Sequence, residues 1–267
     1  MDIEIFTFND IDNIGHLQPE GWPDIVPDFE FYLKSTFCYP IKIQMDNRIV
    51  GVGTSIVFKN SSWIAHIIVD FDYRNRGIGK RIVDELLENN KKHSISTCSL
   101  IATDLGKLVY VKAGFKELTA YKFLKRESEI GDLQFDENIV GFQERFRKDI
   151  YQLDKYISGE DRENLISYYL LTSKIYVTNN KVCGYYIPDL KEGLIYADDE
   201  QAGIELMKLK YSQKDKAVIP SNNLVGLDFL YKIGFVDTGK TATRMFLGDE
   251  LDWKPMNIYS RIGGNFG

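Results

Sequence analysis

Residues 70–89 read DFDYRNRGIGKRIVDELLEN. The apolar run Trp63-Ile-Ala-His-Ile-Ile-Val69 enters this stretch and reads as a strand. Beyond Gly77, the residues Ile78, Ile82, Val83, Leu86 and Leu87 recur at helical spacing and share one face. Between strand and helix stand Gly77 and Gly79, with Arg74, Arg76 and Lys80 around them. Glycines let a backbone approach a ligand without a Cβ in the way. The first N–H groups of a helix have no intrahelical partner, and the helix dipole adds positive character there. Three cations at such a place make a diphosphate site. The loop is not a phosphate-binding GxxxxGK[ST] sequence, because Arg74 stands where its first Gly belongs. It is not the GxGxxG dinucleotide fingerprint either, because Ile82 stands where its last Gly belongs.

Working outward, residues 2–8 read as a short strand and 26–36 as a helix following Pro23 and Pro27. Strands are expected at 41–46, 49–59 and 62–70, with turn signals at Asp46-Asn47 and Asn60-Ser61. After the helix at 77–91 come a strand at 96–102, a helix at 105–113 and a strand near 118–125. The order β, α, βββ, α, β, α, β predicts an α/β (α+β) fold: a mixed, mostly antiparallel twisted sheet flanked by helices. The polar, acidic segment after 125 reads as a connection. The expected division is a first domain at 1–127, a linker at 128–138 and a second domain at 139–267. In the second half, helices are expected at 139–157, 162–171, 199–210 and 222–233, and strands at 174–179, 182–187, 216–220 and 241–247, with a hairpin signal at Asn179-Asn180. "YVKAGF" (110–115) and "YKIGF" (231–235) close corresponding helices, so Lys112, Gly114 and Phe115 recur as Lys232, Gly234 and Phe235. Two tandem copies of one fold follow from that repeat.

Composition removes several function classes. At 44% hydrophobic residues over 267 positions, the chain can bury a sizeable core. A net charge of −6 argues against a general nucleic-acid or anionic-membrane binder and makes the local basic cluster at 74–80 more informative. The 3 cysteines lack paired spacing, so neither a disulfide framework nor a zinc site is expected, and no metal site is assigned. Reduced thiols, an acidic start without a basic leader and the lack of a long apolar run fit a cytoplasmic protein. No GxSxG elbow or HExxH pair supports hydrolase or metalloprotease chemistry.

The stretch at 74–79 resembles motif A of the GNAT N-acetyltransferases, Arg/Gln-x-x-Gly-x-Gly/Ala, with Arg74, Gly77 and Gly79 in place. "HIIVDFDYR" resembles the family's approach to that motif, with Phe71 where proline is common. "LIATDLGKLVYVKAGF" (100–115) resembles N-x-x-A-x-x-L-Y-x-K-x-G-F; Tyr110, Lys112, Gly114 and Phe115 match, and Thr103, Gly106 and Val109 depart. The resemblance covers roughly residues 1–127 and implies acyl transfer from acetyl-CoA to a primary amine of a small molecule or protein. It places the diphosphate of coenzyme A on Arg74, Asn75, Arg76, Gly77, Ile78, Gly79 and Lys80, and the pantetheine arm along the backbone of Ile67 and Val69. It implies Tyr110 as the acid that protonates the leaving thiolate. The family often carries a Glu at the position of Ala65; His66 is next to it, has a suitable pKa for a base, and strand alternation could turn it to the other face. Asp28 and Glu30 are candidates for the acceptor side. Residues 139–267 resemble the degenerate second module of tandem members: "VIPSNNLVGLDFLYKIGF" (218–235) keeps Asn223 but has Leu230 at the tyrosine position. Asp198, Asp199 and Glu200 stand where a diphosphate loop belongs and would repel it. The missing carboxylate at Ala65 keeps a second class open, a non-catalytic acyl-CoA sensor. Acceptor identity, acyl chain length and oligomeric state, homodimer included, stay open.

Overall fold

The computed structural model describes residues 2–128, 131 and 133–267, apart from the side chain of Leu105. Residues 129, 130 and 132 of the expected linker lie outside the described residues. Contacts divide the chain into two compact units: Met1–Lys116 with Met245–Asp249 and Phe266, and Glu117–Arg244 with Glu250–Asn265 and Gly267.

In the first unit, β1 (Ile3–Ile5), β2 (Cys38–Met45), β3 (Arg48–Val57) and β4 (Ser62–Val69) are successive antiparallel neighbours, and β5 (Cys98–Ala102) joins β4 in parallel. Asp46 and Asn47 both take left-handed φ, 49° and 61°, which suits a tight β2–β3 hairpin. The helices are α1 (Val26–Lys34), α2 (Ile78–Lys92) and α3 (Asp104–Lys112). Helix α2 buries Ile78, Ile82, Val83 and Leu86 in a core that also holds Ile43, Val50, Leu100 and Met245. Gly53 of β3 allows that approach: a Cβ there would stand 2.6 Å from Ile82 Cγ2. The start of α2 is thus pinned against the sheet.

The second unit contains β6 (Lys116–Arg126, all but its first residue), β7 (Ile139–Gly141), α4 (Arg147–Ser158), α5 (Glu163–Ile166), β8 (Lys174–Thr178), β9 (Lys181–Ile187), β10 (Leu194–Ala197), α6 (Glu200–Tyr211), β11 (Lys216–Pro220), α7 (Leu224–Lys232), most of β12 (Phe235–Leu247) and β13 (Ile258–Ser260). Strands β7, β8, β9, β10 and β13 pair antiparallel in the order β13-β10-β9-β8-β7, and β6 pairs antiparallel with β11. Five successive pairs from Tyr121↔Pro220 to Lys125↔Lys216 tie β6 to this unit.

The element order β1, α1, β2-β3-β4, α2, β5, α3, β6 recurs as β7, α4, β8-β9-β10, α6, β11, α7, β12, with α5 inserted. The sequence repeat has a physical basis. Gly114 and Gly234 take φ of 95° and 87°, ending α3 and α7, and Phe115 and Phe235 are buried just beyond. Three short strands differ from expectation. Residues 139–141 form β7 because Ile139 and Val140 pair with Tyr176 and Ile175, so the helix starts only at Arg147. Strands β10 and β13 depend on long-range pairing that local periodicity does not reveal.

Candidate active site

Helix α2 begins at Gly77, whose φ of 81° is left-handed and which no side chain caps. The first helical bond runs from the Arg81 N–H to the Gly77 carbonyl at 3.0 Å, so the N–H groups of Ile78, Gly79 and Lys80 lack a carbonyl one turn back. Asn75 is also left-handed, at 61°. A Cβ built at Gly77 meets nothing within 4 Å, so the space in front of the helix end is open. Arg74 lies over the Phe71 ring at 5.2 Å, and Arg76 over Tyr73 at 5.0 Å. The Arg76 guanidinium also donates to the Asp72 carbonyl at 2.9 Å. Lys80 pairs with Asp84 at 2.5 Å, an exposed contact of little energetic weight. Burial raises the Asp70 pKa, but the Asp72 N–H and Arg48 outweigh it and hold this carboxyl below its ordinary range. Its negative charge is therefore matched by Arg48. The structure gathers all of Arg74–Lys80 at one helix end.

Beside that end the sheet opens. Strands β4 and β5 pair only at Ser62↔Cys98 and Trp63↔Ser99, although β4 runs on to Val69. The Asp70 N–H donates to the Val50 carbonyl at 2.9 Å, toward β3. Alternation turns the backbone groups of Val69 and Ile67 to the opposite side, facing the opening. The Val69 carbonyl there accepts from Arg74 Nε at 3.2 Å.

Tyr110 lies in the core of the first unit, with its ring edge-on to Phe115 at 6.0 Å. A Cβ at Gly106 would stand 2.9 Å from Tyr110 Cε2 and 3.6 Å from the hydroxyl. The ring therefore folds back over the first turn of α3. Glycine at 106 is what permits this. Burial pushes the phenol up to about 12, so at neutral pH it keeps its proton.

His66 sits where β4 bulges. Val52 pairs with Ile68 and Thr54 with Ala65, so His66 and Ile67 together face Gly53, and His66 takes a left-handed φ of 50°. Its side chain reaches α1: the Tyr32 hydroxyl lies 2.7 Å from Nδ1, and Asp28 Oδ2 lies 3.5 Å from Nε2. Phe29 and Trp22 stand edge-on to the imidazole at 5.8 and 6.0 Å. Burial pushes the His66 pKa down to about 4. A general base needs a free, basic nitrogen; here both nitrogens face protein groups and the ring resists protonation. Asp28 joins this cluster. Glu30 does not: it pairs with Lys34 at 3.3 Å with its side chain 45% exposed. Two positions along a helix turn a side chain about 200°, so Asp28 and Glu30 face opposite ways. Ala65 is buried and brings no carboxylate.

The corresponding places in the second unit are filled by the chain itself. Asp199 caps α6 by accepting from the Ala202 N–H at 2.9 Å, and Asp198 pairs with Lys181 at 2.6 Å. A Cβ at Gly203 would fall 2.2 Å from the Tyr259 ring, so that ring lies against the first turn of α6. Strand β13, which carries Tyr259, pairs antiparallel with β10, and the Arg261 N–H reaches the Val218 carbonyl of β11 at 3.4 Å. The Asn223 amide donates to the Ile258 carbonyl at 2.9 Å and Asn257 to the Ala197 carbonyl at 2.7 Å. Where β4 and β5 part in the first unit, β13 lies between β10 and β11 in the second.

Residues 33–126 match the family model of the acetyltransferase (GNAT) domain. That stretch of the chain is similar to a GNAT domain. Among solved structures, an acetyltransferase from Pyrococcus horikoshii superimposes with a TM-score of 0.83 at 19% identity, covering 100% of this chain and 95% of its own. A tandem GNAT protein of the clavulanic acid biosynthesis pathway gives 0.61 at 10% identity, covering 92% and 98%. A GCN5-related N-acetyltransferase from Anabaena variabilis gives 0.58 at 13%, covering 92% and 72%. No curated protein matches the sequence. The fold is thus that of a tandem GNAT protein, with two GNAT-like repeats. Sequence reasoning passed over three residues of the two GNAT-like sites: Tyr32 and Trp22 around His66, and Tyr259 at α6. Tyr32 carried one signal, since it lies four positions after Asp28 and shares its helix face.

Proposed function

We propose that the chain is an acetyl-CoA-dependent N-acyltransferase acting on a primary amine of a small molecule or protein, and that its first repeat does the chemistry. The observation that carries this reading is an uncapped, cation-flanked helix end lying beside an opened pair of strands. Acetyl-CoA supplies an activated thioester. Arg74, Arg76 and Lys80, with the backbone of Asn75, Gly77, Ile78 and Gly79, suit its diphosphate. The outward backbone groups of Ile67 and Val69 suit the amides of its arm.

For the chemistry, the amine nitrogen bonds to the acyl carbon as the carbon–sulfur bond breaks. The amine gives up one proton to water, and the sulfur gains one. Tyr110 is the donor to sulfur: its phenol is protonated at neutral pH, and the phenolate it leaves regains a proton from the water that took the amine's. Asp28, whose carboxylate lies 3.5 Å from His66 Nε2, is assigned to the acceptor side, where it would offer an ammonium a counter-charge before that ammonium becomes the neutral amine. The domains are proposed as 1–127 for catalysis and 139–267 for support of the acceptor side or of the fold.

A second reading, a non-catalytic acyl-CoA sensor, is favoured by Ala65 and by the sequestered imidazole of His66. Thiol release from acetyl-CoA across a panel of primary amines separates the two. Amine-dependent release supports transfer; tight CoA binding without release under any amine supports the sensor.

A further inference from the structure

Around His66, a strained backbone and a satisfied side chain coincide. A non-glycine residue with left-handed φ is unusual inside a strand and is retained only where its surroundings hold it. The peptide plane that carries the Ile67 N–H hinges on the ψ of His66, so whatever fixes His66 fixes that N–H. The tautomer follows from charge. If Nδ1 carried the proton, the Nε2 lone pair would face the Asp28 carboxylate at 3.5 Å, which is repulsive. If the Tyr32 hydroxyl donates to Nδ1 at 2.7 Å, Nε2 carries the proton and turns it toward Asp28. The edges of Phe29 and Trp22 hold the ring in this orientation.

We infer that Tyr32 and Asp28 are positioning residues that act through His66, holding its imidazole as the Nε2–H tautomer and so fixing the Ile67 peptide toward the opening between β4 and β5. The imidazole carries no proton to or from substrate in this account. Its side chain pins a bulge whose next amide meets the acyl donor. The effect on the donor rests on the acyl-CoA reading above; the tautomer does not.

Histidine 15N spectra of the full chain at pH 7 test the first part, with the His66 signals assigned by their loss in His66→Asn. The expected pattern is one neutral imidazole with its proton on Nε2, shifting in Tyr32→Phe as Nδ1 loses its donor. CoA calorimetry tests the second. Tyr32→Phe weakens CoA binding about fivefold, the usual worth of one hydrogen bond. His66→Val loses more than His66→Asn, because Asn accepts a left-handed backbone and a β-branched residue does not. A proton on Nδ1, an imidazolium at pH 7, or wild-type CoA affinity in a folded Tyr32→Phe would overturn the inference. Failure of the wild type to bind CoA would instead remove the acyl-CoA reading, and the spectra would still decide the tautomer.

Discussion

Helices α2 and α6 occupy the same place in the two repeats and begin in opposite ways. Helix α2 starts on a left-handed glycine with no side-chain cap, exposed arginines around it and open space in front. Helix α6 starts on Asp199, which bonds the Ala202 N–H, and the Tyr259 ring lies on its first turn. The strands repeat the contrast: β4 parts from β5, while β13 lies between β10 and β11. One fold thus leaves its polar groups available in the first copy and satisfies them internally in the second. In the function proposed above, a few side chains and one three-residue strand decide whether a repeat takes a diphosphate ligand, without a change of architecture.

The largest way to break the contrast is to give α2 the cap that α6 has. In Gly77→Asp the new side chain meets no atom, and aspartate tolerates the left-handed backbone better than most residues. Its carboxylate would compete for the helix N–H groups and repel a diphosphate. CoA affinity by calorimetry should fall beyond about 1000-fold while the fold persists.

Next come two buried bases, one in each unit. His66 is held near 4 in the fold against an ordinary 6.5. Its neutral form is favoured by folding, so its contribution is present above pH 6.5 and is lost as pH falls toward 4. Lys210 is held near 7 against 10.5, chiefly by burial, and donates to the Gly193 carbonyl at 2.9 Å and to Ser260 Oγ of β13. Its contribution is lost as pH falls from 10.5 to 7. Each window carries about 1.4 kcal/mol per pH unit. Protection against amide exchange should therefore weaken around β4 as pH falls from 6.5 to 5, and around β13 as pH falls from 9 to 7. The reverse assignment would contradict the packing of these two groups.

Tyr110→Phe keeps the ring and removes the proton; kcat should fall about 100-fold with CoA affinity unchanged. A rate within about twofold of wild type would leave Tyr110 as a packing residue only. The smallest effect sharpens the second site. Asp199→Ala should cost about 1 kcal/mol of stability, the usual worth of an N-cap. It should create no CoA binding, because Tyr259 still lies on α6.

Much of this was legible in the sequence because it is local. The face of α2, the Asp46-Asn47 hairpin, the cations of 74–80 and the acids of 198–200 all lie within one element of each other. The Gly-Phe ending of both repeats was legible for the same reason. What escaped is non-local. Strand β13 is three residues long and forms by pairing with β10, far earlier in the chain. The clamp on His66 comes from α1, and the ring on α6 comes from β13. Asp28 and Glu30 stand two positions apart on α1, so helical geometry alone points them different ways.

The central claim is that one repeat binds acyl-CoA and the other is filled by its own chain. Titration of the intact protein with CoA by calorimetry measures it directly. A stoichiometry near one, abolished by Gly77→Asp, is the predicted result. A stoichiometry near two, or one site that survives Gly77→Asp, would contradict it.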